Sequence, residues 1–230
     1  MIDIHAHVIP FVDDGSSSIE CSLQMLISLS DSGVKAVVCT PHYRHNYVSR
    51  IEQIEEQFAK LKERVLEEKI PINLYLGREL YISSDYKKLL SNERDSFTLN
   101  HSPYVLIEFD YTENGEIVEV AYELLNMGFI PIIAHVERYS YITESDVYEI
   151  KSMGGLIQVN ADSIVGDNKK HYYKFIKKLF KSNLVDFVSS DLHEQRINHM
   201  AEARKFVAKK FGEDVANVVF SENAKKIIKG

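Results

Sequence analysis

The sequence predicts an α/β fold whose parallel strands close into a barrel, and three observations carry that expectation. Short apolar runs rich in β-branched residues alternate with longer amphipathic stretches, the pattern of strands joined by crossover helices. The length, 230 residues, suits a single α/β barrel domain over 1–230 without a linker. Most of the strand-like runs also end in a histidine or a carboxylate, residues that a barrel would gather on one face.

Seven runs are read as strands: Met1 to Ile4, Ala36 to Thr40, Asn73 to Leu76, Tyr104 to Ile107, Ile130 to Ala134, Leu156 to Val159 and Leu184 to Ser189. Between the first two, Ser17 and Glu20 have the spacing of a capping box, and Ser49 with Glu52 repeats it ahead of the next helix. In that second helix Ile51, Ile54, Phe58, Leu61 and Val65 recur at three-four spacing, a face expected to pack on the sheet because the seam is too short for a coiled coil. Gly33, Gly128 and the Gly154-Gly155 pair each fall between a helix and the next strand, where a left-handed residue ends the helix. No repeat and no low-complexity tract interrupts the series.

Composition narrows the function. Hydrophobic residues make up 45% and charged residues 27%, an ordinary balance for a chain with a sizeable core. A net charge of -7 argues against a nucleic-acid partner, whose footprint is a basic face. The only cysteines, Cys21 and Cys39, form no C-x-x-C, so neither a zinc ribbon nor a disulfide framework is supported, and a reducing cytoplasm is the expected location. No basic leader and no run of membrane-spanning length is present, so no direct membrane insertion is expected. Walker-type and G-x-G-x-x-G loops are absent, which leaves a nucleotide fold without a motif.

The strand ends read together as a metal site. His5 and His7 follow the first run, two apart and therefore on one side of an extended chain. His42 follows the second run, Glu79 the third, Glu108 the fourth, His135 the fifth, and Asp191 with His193 the seventh, while Asp14 lies in the first loop. Each alone has a plain structural explanation: a helix cap, an arginine partner, a core histidine, a turn aspartate. Independent accidents would not place them repeatedly at one end of the sheet. Nine nitrogen and oxygen donors exceed one cation's needs, so two or three divalent ions are implied, with manganese, iron and zinc all compatible. Metals about 3.5–4 Å apart stabilise in-line displacement at phosphorus, and Glu79, mid-series, is the candidate bridge. Arg138 and Arg196, each three residues past a donor, are candidate phosphate-binding guanidiniums. His199 is a candidate general acid and Asn160 a candidate support for a ligand carboxylate, whereas His45, His101 and His171 are read as ordinary polar residues.

In order along the chain, His5-Ala6-His7, Asp13-Asp14-Gly15, Thr40-Pro41-His42, Gly77-Arg78-Glu79, Leu106-Ile107-Glu108-Phe109, Ala134-His135-Val136-Glu137-Arg138-Tyr139 and Ser190-Asp191-Leu192-His193 resemble the motifs of the polymerase and histidinol phosphatase (PHP) superfamily. The Asp-Asp-Gly, Ile-Glu-Phe and His-x-Glu-Arg-Tyr segments look most like the CpsB-type protein-tyrosine phosphatases of bacterial capsule and exopolysaccharide operons. The resemblance implies a distorted seven-stranded (β/α) TIM-like barrel with a trinuclear, manganese-supported centre that dephosphorylates the tyrosine-rich tail of a partner tyrosine kinase. It implies that His5, His7, Glu79 and Asp191 hold one metal, Glu79, Glu108 and His135 a second, and Asp14, His42 and His193 the third, with Arg138 and Arg196 on the phosphate. Two departures stand out: Val136 replaces the family's proline, and the loop from His193 to Arg196 is short.

The leading expectation is therefore a metal-dependent protein-tyrosine phosphatase in which a metal-bridging hydroxide attacks phosphorus. A cysteine mechanism lacks support, because Cys39 is followed by no C-x5-R run. The alternatives are a small-molecule phosphatase, such as one acting on histidinol phosphate, and a non-catalytic module that binds a phosphorylated tail.

Overall fold

Nine short strands, all paired in parallel, carry the architecture of the computed structural model, which describes residues 1–44, 47, 49–113 and 116–229. They are β1 (Ile2–Ala6), β2 (Ala36–Cys39), β3 (His42–Tyr43), β4 (Asn73–Leu76), β5 (Glu79–Tyr81), β6 (Tyr104–Glu108), β7 (Ile130–Ile133), β8 (Leu156–Asn160) and β9 (Phe187–Ser189). One sheet runs β1-β2-β4 and the other β3-β5-β6-β7-β8-β9. His45 lies outside the described residues.

Nine strands thus stand in place of the seven expected, and proline and glycine explain the difference. Thr40-Pro41 separates β2 from β3, where proline offers no N–H to a ladder, and Gly77-Arg78 separates β4 from β5. Hydrogen bonds still cross the gap, from Gly77 N–H to the Cys39 carbonyl at 2.9 Å and from Glu79 N–H to the Pro41 carbonyl at 3.2 Å. At the opposite edge Asp191 N–H donates to the His5 carbonyl at 2.8 Å and His7 N–H to the Leu192 carbonyl at 3.0 Å. The parallel sheet is therefore curled until its last strand meets its first.

The strands separate two apolar layers. Ile4, Val38, Leu106, Ile132 and Phe187 meet on the concave side, floored by Leu99 and Ile227. Val37, Cys39, Val105, Ile133, Val159 and Val188 face the helices in a larger cluster. That alternation is the period of two expected of a strand buried on both faces. Helix Ile51–Glu67 buries Ile54, Leu61 and Val65 against the larger cluster, as its spacing predicts.

Both expected capping boxes are displaced. Ser18, not Ser17, caps helix Ile19–Asp31 by accepting from Cys21 N–H, while the next helix starts after Arg50 with no side-chain cap. Ser49 instead donates its hydroxyl to the Val12 carbonyl at 2.8 Å, pinning the two loops to each other. A complete capping box forms at Thr143 and Asp146, and Gly33, Gly128 and Gly154 take the left-handed conformation expected of them. Among the described residues no helix is long and apolar enough to cross a membrane.

Candidate metal centre

Strand alternation explains how the donors reach one place. On the concave side, apolar residues at the strand starts give way two residues at a time to polar ones: Leu106 then Glu108 on β6, Leu156 then Gln158 and Asn160 on β8, and Phe187 then Ser189 and Asp191 along β9. In β1 the pairing with β2 slips between Asp3 and Ala6, an irregularity of the kind that re-aims side chains, with His5 inside it and His7 just after it. His135 and Asp191 leave their strands with φ of 32° and 49°, a left-handed conformation rare for side-chain-bearing residues and found where a site fixes the backbone.

The nine expected donors converge. His5 Nε2 lies 3.2 Å from Glu79 Oε1 and 3.6 Å from Asp191 Oδ1, and His7 Nε2 lies 3.3 Å from Glu79 Oε2 and 3.5 Å from Asp191 Oδ1. His135 Nε2 approaches Glu79 Oε1 at 3.0 Å and Glu108 Oε1 at 3.8 Å. On the outer side, Asp14 Oδ1 stands 3.5 Å from His42 Nε2 and 3.7 Å from His193 Nε2. Glu79 is fully buried and touches four histidines, and Asp14 is the one exposed donor of the nine.

Supporting residues hold the imidazoles in place. Asp13 accepts from His7 Nδ1 at 2.8 Å and from His42 N–H at 2.9 Å; burial opposes its ionisation, yet the His7 contact holds it down to about 2. Gln158 places its carbonyl oxygen 3.2 Å from His5 Nδ1 and 2.7 Å from His135 N–H, and its amide donates to Asn160. Asn160 in turn donates to Asp191 Oδ2 at 2.9 Å. Tyr111 donates to Glu108 Oε1 at 2.7 Å. Asp3, beneath the site, accepts from Ser190 N–H and hydroxyl and from His5 N–H, tying β1 to the segment after β9. Burial is the largest influence on Glu79 and Asp191 and opposes their ionisation, but the surrounding histidines, and for Asp191 also Arg138 and Arg196, hold both well below the usual carboxylate range. Burial and the facing His7 push His193 down to about 3, so it presents a neutral imidazole.

Of these supports only Asn160 was selected from the sequence. Gln158 could have been found, because it lies two residues before Asn160 and so shares its face. Asp13 sat inside the Asp-Asp-Gly segment, but its neighbour drew the assignment. Arg44, whose guanidinium is 3.9 Å from Glu108 Oε2, carried no signal.

The fit to metal ions is chemical as well as geometric. Three sets, His7 with His42 and His193, His5 with His7 and Glu79, and His42 with Glu79 and Glu108, each keep their ligand atoms within 4.8 Å of one another. His42 Nδ1 and Glu79 Oε2 face each other at 2.8 Å without hydrogen-bonding alignment, Glu108 Oε2 is likewise buried without a hydrogen-bond partner, and all three belong to the last set. Unsatisfied buried polar atoms are costly and uncommon, and a cation resolves all three together. Mixed imidazole and carboxylate donors suit divalent first-row metals.

Beside the cluster, Arg138 and Arg196 both bind Asp191 Oδ2, at 2.9 and 2.6 Å. Burial alone would lower Arg138, but Asp191, Tyr111 and Glu137 keep it above its ordinary value and charged. The two arginines line a cavity of about 310 Å³ together with Asn160, Asp162, Ser190 and His199. His199 precedes helix Met200–Phe211, sets its Nε2 3.9 Å from Asp162 Oδ1 and lines the same cavity as the two arginines. Val136 begins a short 3-10 turn ending at Arg138, so the proline's absence leaves the turn formed.

Comparison with known proteins agrees with this geometry. Residues 1–229 match the family described as capsular polysaccharide synthesis, CpsB/CapC. The chain is 31% identical over 235 residues to the tyrosine-protein phosphatase YwqE of Bacillus subtilis, covering 100% of this chain and 92% of that protein. It is 33% identical over 240 residues to the tyrosine-protein phosphatase CpsB of Streptococcus agalactiae, covering 100% and 98%. It superposes with TM-score 0.91, at 30% identity over 100% of this chain and 94% of the other, on a crystal structure from work on YwqE of Bacillus subtilis and CpsB of Streptococcus pneumoniae, described as unique metal-dependent tyrosine phosphatases. Histidinol phosphate phosphatase from Lactococcus lactis shares the fold, with TM-score 0.62 at 14% identity over 92% and 93% of the two chains. With its whole length matched and its histidines and carboxylates gathered at one mouth, this chain belongs to the CpsB/CapC family.

Proposed function

We propose that this protein is a metal-dependent protein-tyrosine phosphatase of capsule or exopolysaccharide synthesis, acting on the phosphorylated tail of a bacterial tyrosine kinase. The observation that carries the reading is the meeting of three candidate ligand sets, sharing His7, His42 and Glu79, with two arginines at the rim of one cavity. The activity printed for YwqE and CpsB supports the choice of phosphotyrosine. We read 1–230 as a single phosphatase domain and its two sheets as the distorted seven-stranded (β/α) barrel, because hydrogen bonds bridge β2–β3 to β4–β5 and the β9 end to β1.

The ligand sets we favour are His5, His7, Glu79 and Asp191 for one ion, Glu79, Glu108 and His135 for a second, and Asp14, His42 and His193 for a third. Manganese is our first choice, with iron and zinc as alternatives. Ions held there would supply Lewis acidity towards the phosphoryl oxygens and lower the pKa of water. The protein's own groups do the rest. Arg138 and Arg196 turn from Asp191 to grip the phosphate oxygens, and Asp13 and Gln158 keep His7 and His5 in the tautomers that leave Nε2 free. His199, oriented by Asp162, delivers a proton to the departing tyrosyl oxygen.

No covalent enzyme intermediate is needed. Cys39 is fully buried in the layer beneath the helices and burial raises its thiol pKa, so it is no nucleophile. The test is hydrolysis of a phosphotyrosine peptide set beside histidinol phosphate: a chelator should abolish peptide turnover, each reloaded cation should be scored for recovery, and Cys39→Ser should remain active. Loss of activity in folded Cys39→Ser would refute the mechanism, and preferential turnover of histidinol phosphate would refute the substrate. For His199→Ala, phenyl phosphate should slow by about 10²-fold while p-nitrophenyl phosphate, whose leaving group needs no proton, is nearly unaffected.

A further inference from the structure

The chain is acidic overall, with a net charge of -7, yet helix Lys169–Lys181 reads KKHYYKFIKKLFK, six lysines and no acid. Its apolar residues Ile176, Leu179 and Phe180 are buried in the core. Flanking that buried stripe, Lys169, Lys170, Tyr173, Lys174 and Lys177 line a groove of about 820 Å³. Among the described residues none of these lysines has an acidic partner; Lys169 instead lies over the rings of Phe206 at 4.3 Å and Tyr173 at 5.2 Å. Asp167, the single acid on this groove's wall, also lines the arginine cavity, so the two openings share a rim.

Four like charges along one helix repel one another, and among the described residues the groove's wall sets only Asp167 against them, with no ion pair formed. Such an arrangement is stabilised by an anionic partner. Lys169 to Lys177 spans about 12 Å at 1.5 Å per helical residue, the reach of about four residues of extended peptide. Among the described residues none of the exposed large apolar side chains lines this groove: Phe11, Leu66 and Tyr148 lie elsewhere and Ile197 lines the arginine cavity, so the groove itself offers a bilayer charge without anything to insert. The shared rim points to a polypeptide that continues from the cavity into the groove.

We propose that this lysine groove docks an acidic, or further phosphorylated, stretch of the same polypeptide whose phosphotyrosine enters the arginine cavity. The inference rests on the phosphatase reading given above and adds a specificity surface to it: flanking negative charge lowers KM and leaves the chemical step alone.

The experiment compares two phosphotyrosine peptides of equal length, one flanked by four glutamates and the other by four glutamines, with p-nitrophenyl phosphate as the small substrate. In the unmodified protein the glutamate peptide should show a KM about tenfold lower, a preference that shrinks as sodium chloride rises from about 50 to about 300 mM. Lys170→Gln/Lys174→Gln/Lys177→Gln should equalise the two peptides and leave p-nitrophenyl phosphate turnover unchanged. An undiminished preference in the triple variant, or none in the unmodified protein, overturns the proposal. So does a variant that loses only its sedimentation with phosphatidylserine vesicles, which would assign the face to a membrane. Binding of the same two peptides carrying a non-hydrolysable phosphonate, followed by fluorescence anisotropy, separates the two readings: absent turnover with retained glutamate preference sinks the phosphatase reading and spares the groove.

Discussion

In the proposed reaction Arg138 serves two partners in turn. Its side chain is 14% exposed and held 2.9 Å from Asp191 Oδ2, and binding substrate would exchange that carboxylate oxygen for a phosphoryl one. Arg138→Ala should lower kcat by about 10²–10³-fold, the cost of removing one preorganised donor from developing charge. Arg138→Lys should recover little of it, because an ammonium lacks the two-pronged geometry. Steady-state kinetics on a phosphotyrosine peptide, with a melting curve to show that the fold persists, decides the matter. Gly15 is a second residue with no substitute. A Cβ there would sit 2.1 Å from the His7 carbonyl oxygen and 2.3 Å from its Cβ, both on a strand end that cannot move. Gly15→Ala should cost more than about 2 kcal/mol in denaturant unfolding, since overpacking against backbone has no relief.

At the scale of elements, the seam between β1 and β9 decides whether the donors stay together. His5 and Asp191 sit on its two sides, and beneath them Asp3, fully buried, accepts from the Ser190 hydroxyl at 2.5 Å, Ser190 N–H at 3.1 Å and His5 N–H at 3.3 Å. Asp3→Ala would take the acceptor from two buried N–H groups and leave the Ser190 hydroxyl only its 3.4 Å contact with the His5 carbonyl, at about 1–3 kcal/mol for each donor that water cannot reach. The expected result is a loss of about 2–4 kcal/mol in urea unfolding together with faster metal loss to a competing chelator. Unchanged metal retention in a destabilised protein would mean that the seam supports the fold without positioning the ligands. Helix starts are also where local spacing and the fold differ most. Ser17 and Ser49 have the spacing of caps, but Ser18 caps the first helix and Ser49 bonds the Val12 carbonyl instead. A serine hydroxyl takes whichever backbone group tertiary packing brings near, and neither partner is encoded in a four-residue window.

For the whole molecule, ions at the proposed centre would act as a stability element. Glu79, Glu108 and Asp191 are buried within one mouth, and ions that bind only the folded chain stabilise it by mass action, about 4 kcal/mol at a thousandfold excess over Kd. For a chain of this length about 1 kcal/mol shifts Tm by roughly 2–4 °C. Chelation should therefore lower Tm by about 8–16 °C, with recovery on adding back manganese. A melt indifferent to chelator would remove the metal centre from the account. The lysine groove belongs to this scale too, since a basic face on an acidic molecule orients an anionic partner before contact.

The donors themselves were legible in the chain because strand chemistry is local. A β-branched run followed by His, Asp or Glu puts that residue at a strand end, and parallel strands share one such end. What packing decided was everything that crosses between strands. Gln158 supports both His5 and His135 from a position with no motif around it, and Asp13 rather than a residue of its own strand braces His7. Beyond Pro41 and Gly77, where two of the expected strands end, the sheet continues in the short strands β3 and β5, which the sequence reading does not contain. Residue type and spacing act over a few positions, and so they pick out the candidate donors that the fold brings together. Which ligand faces which, and what holds it there, depends on contacts up to 187 residues apart in sequence, and only the closed sheet brings those into existence.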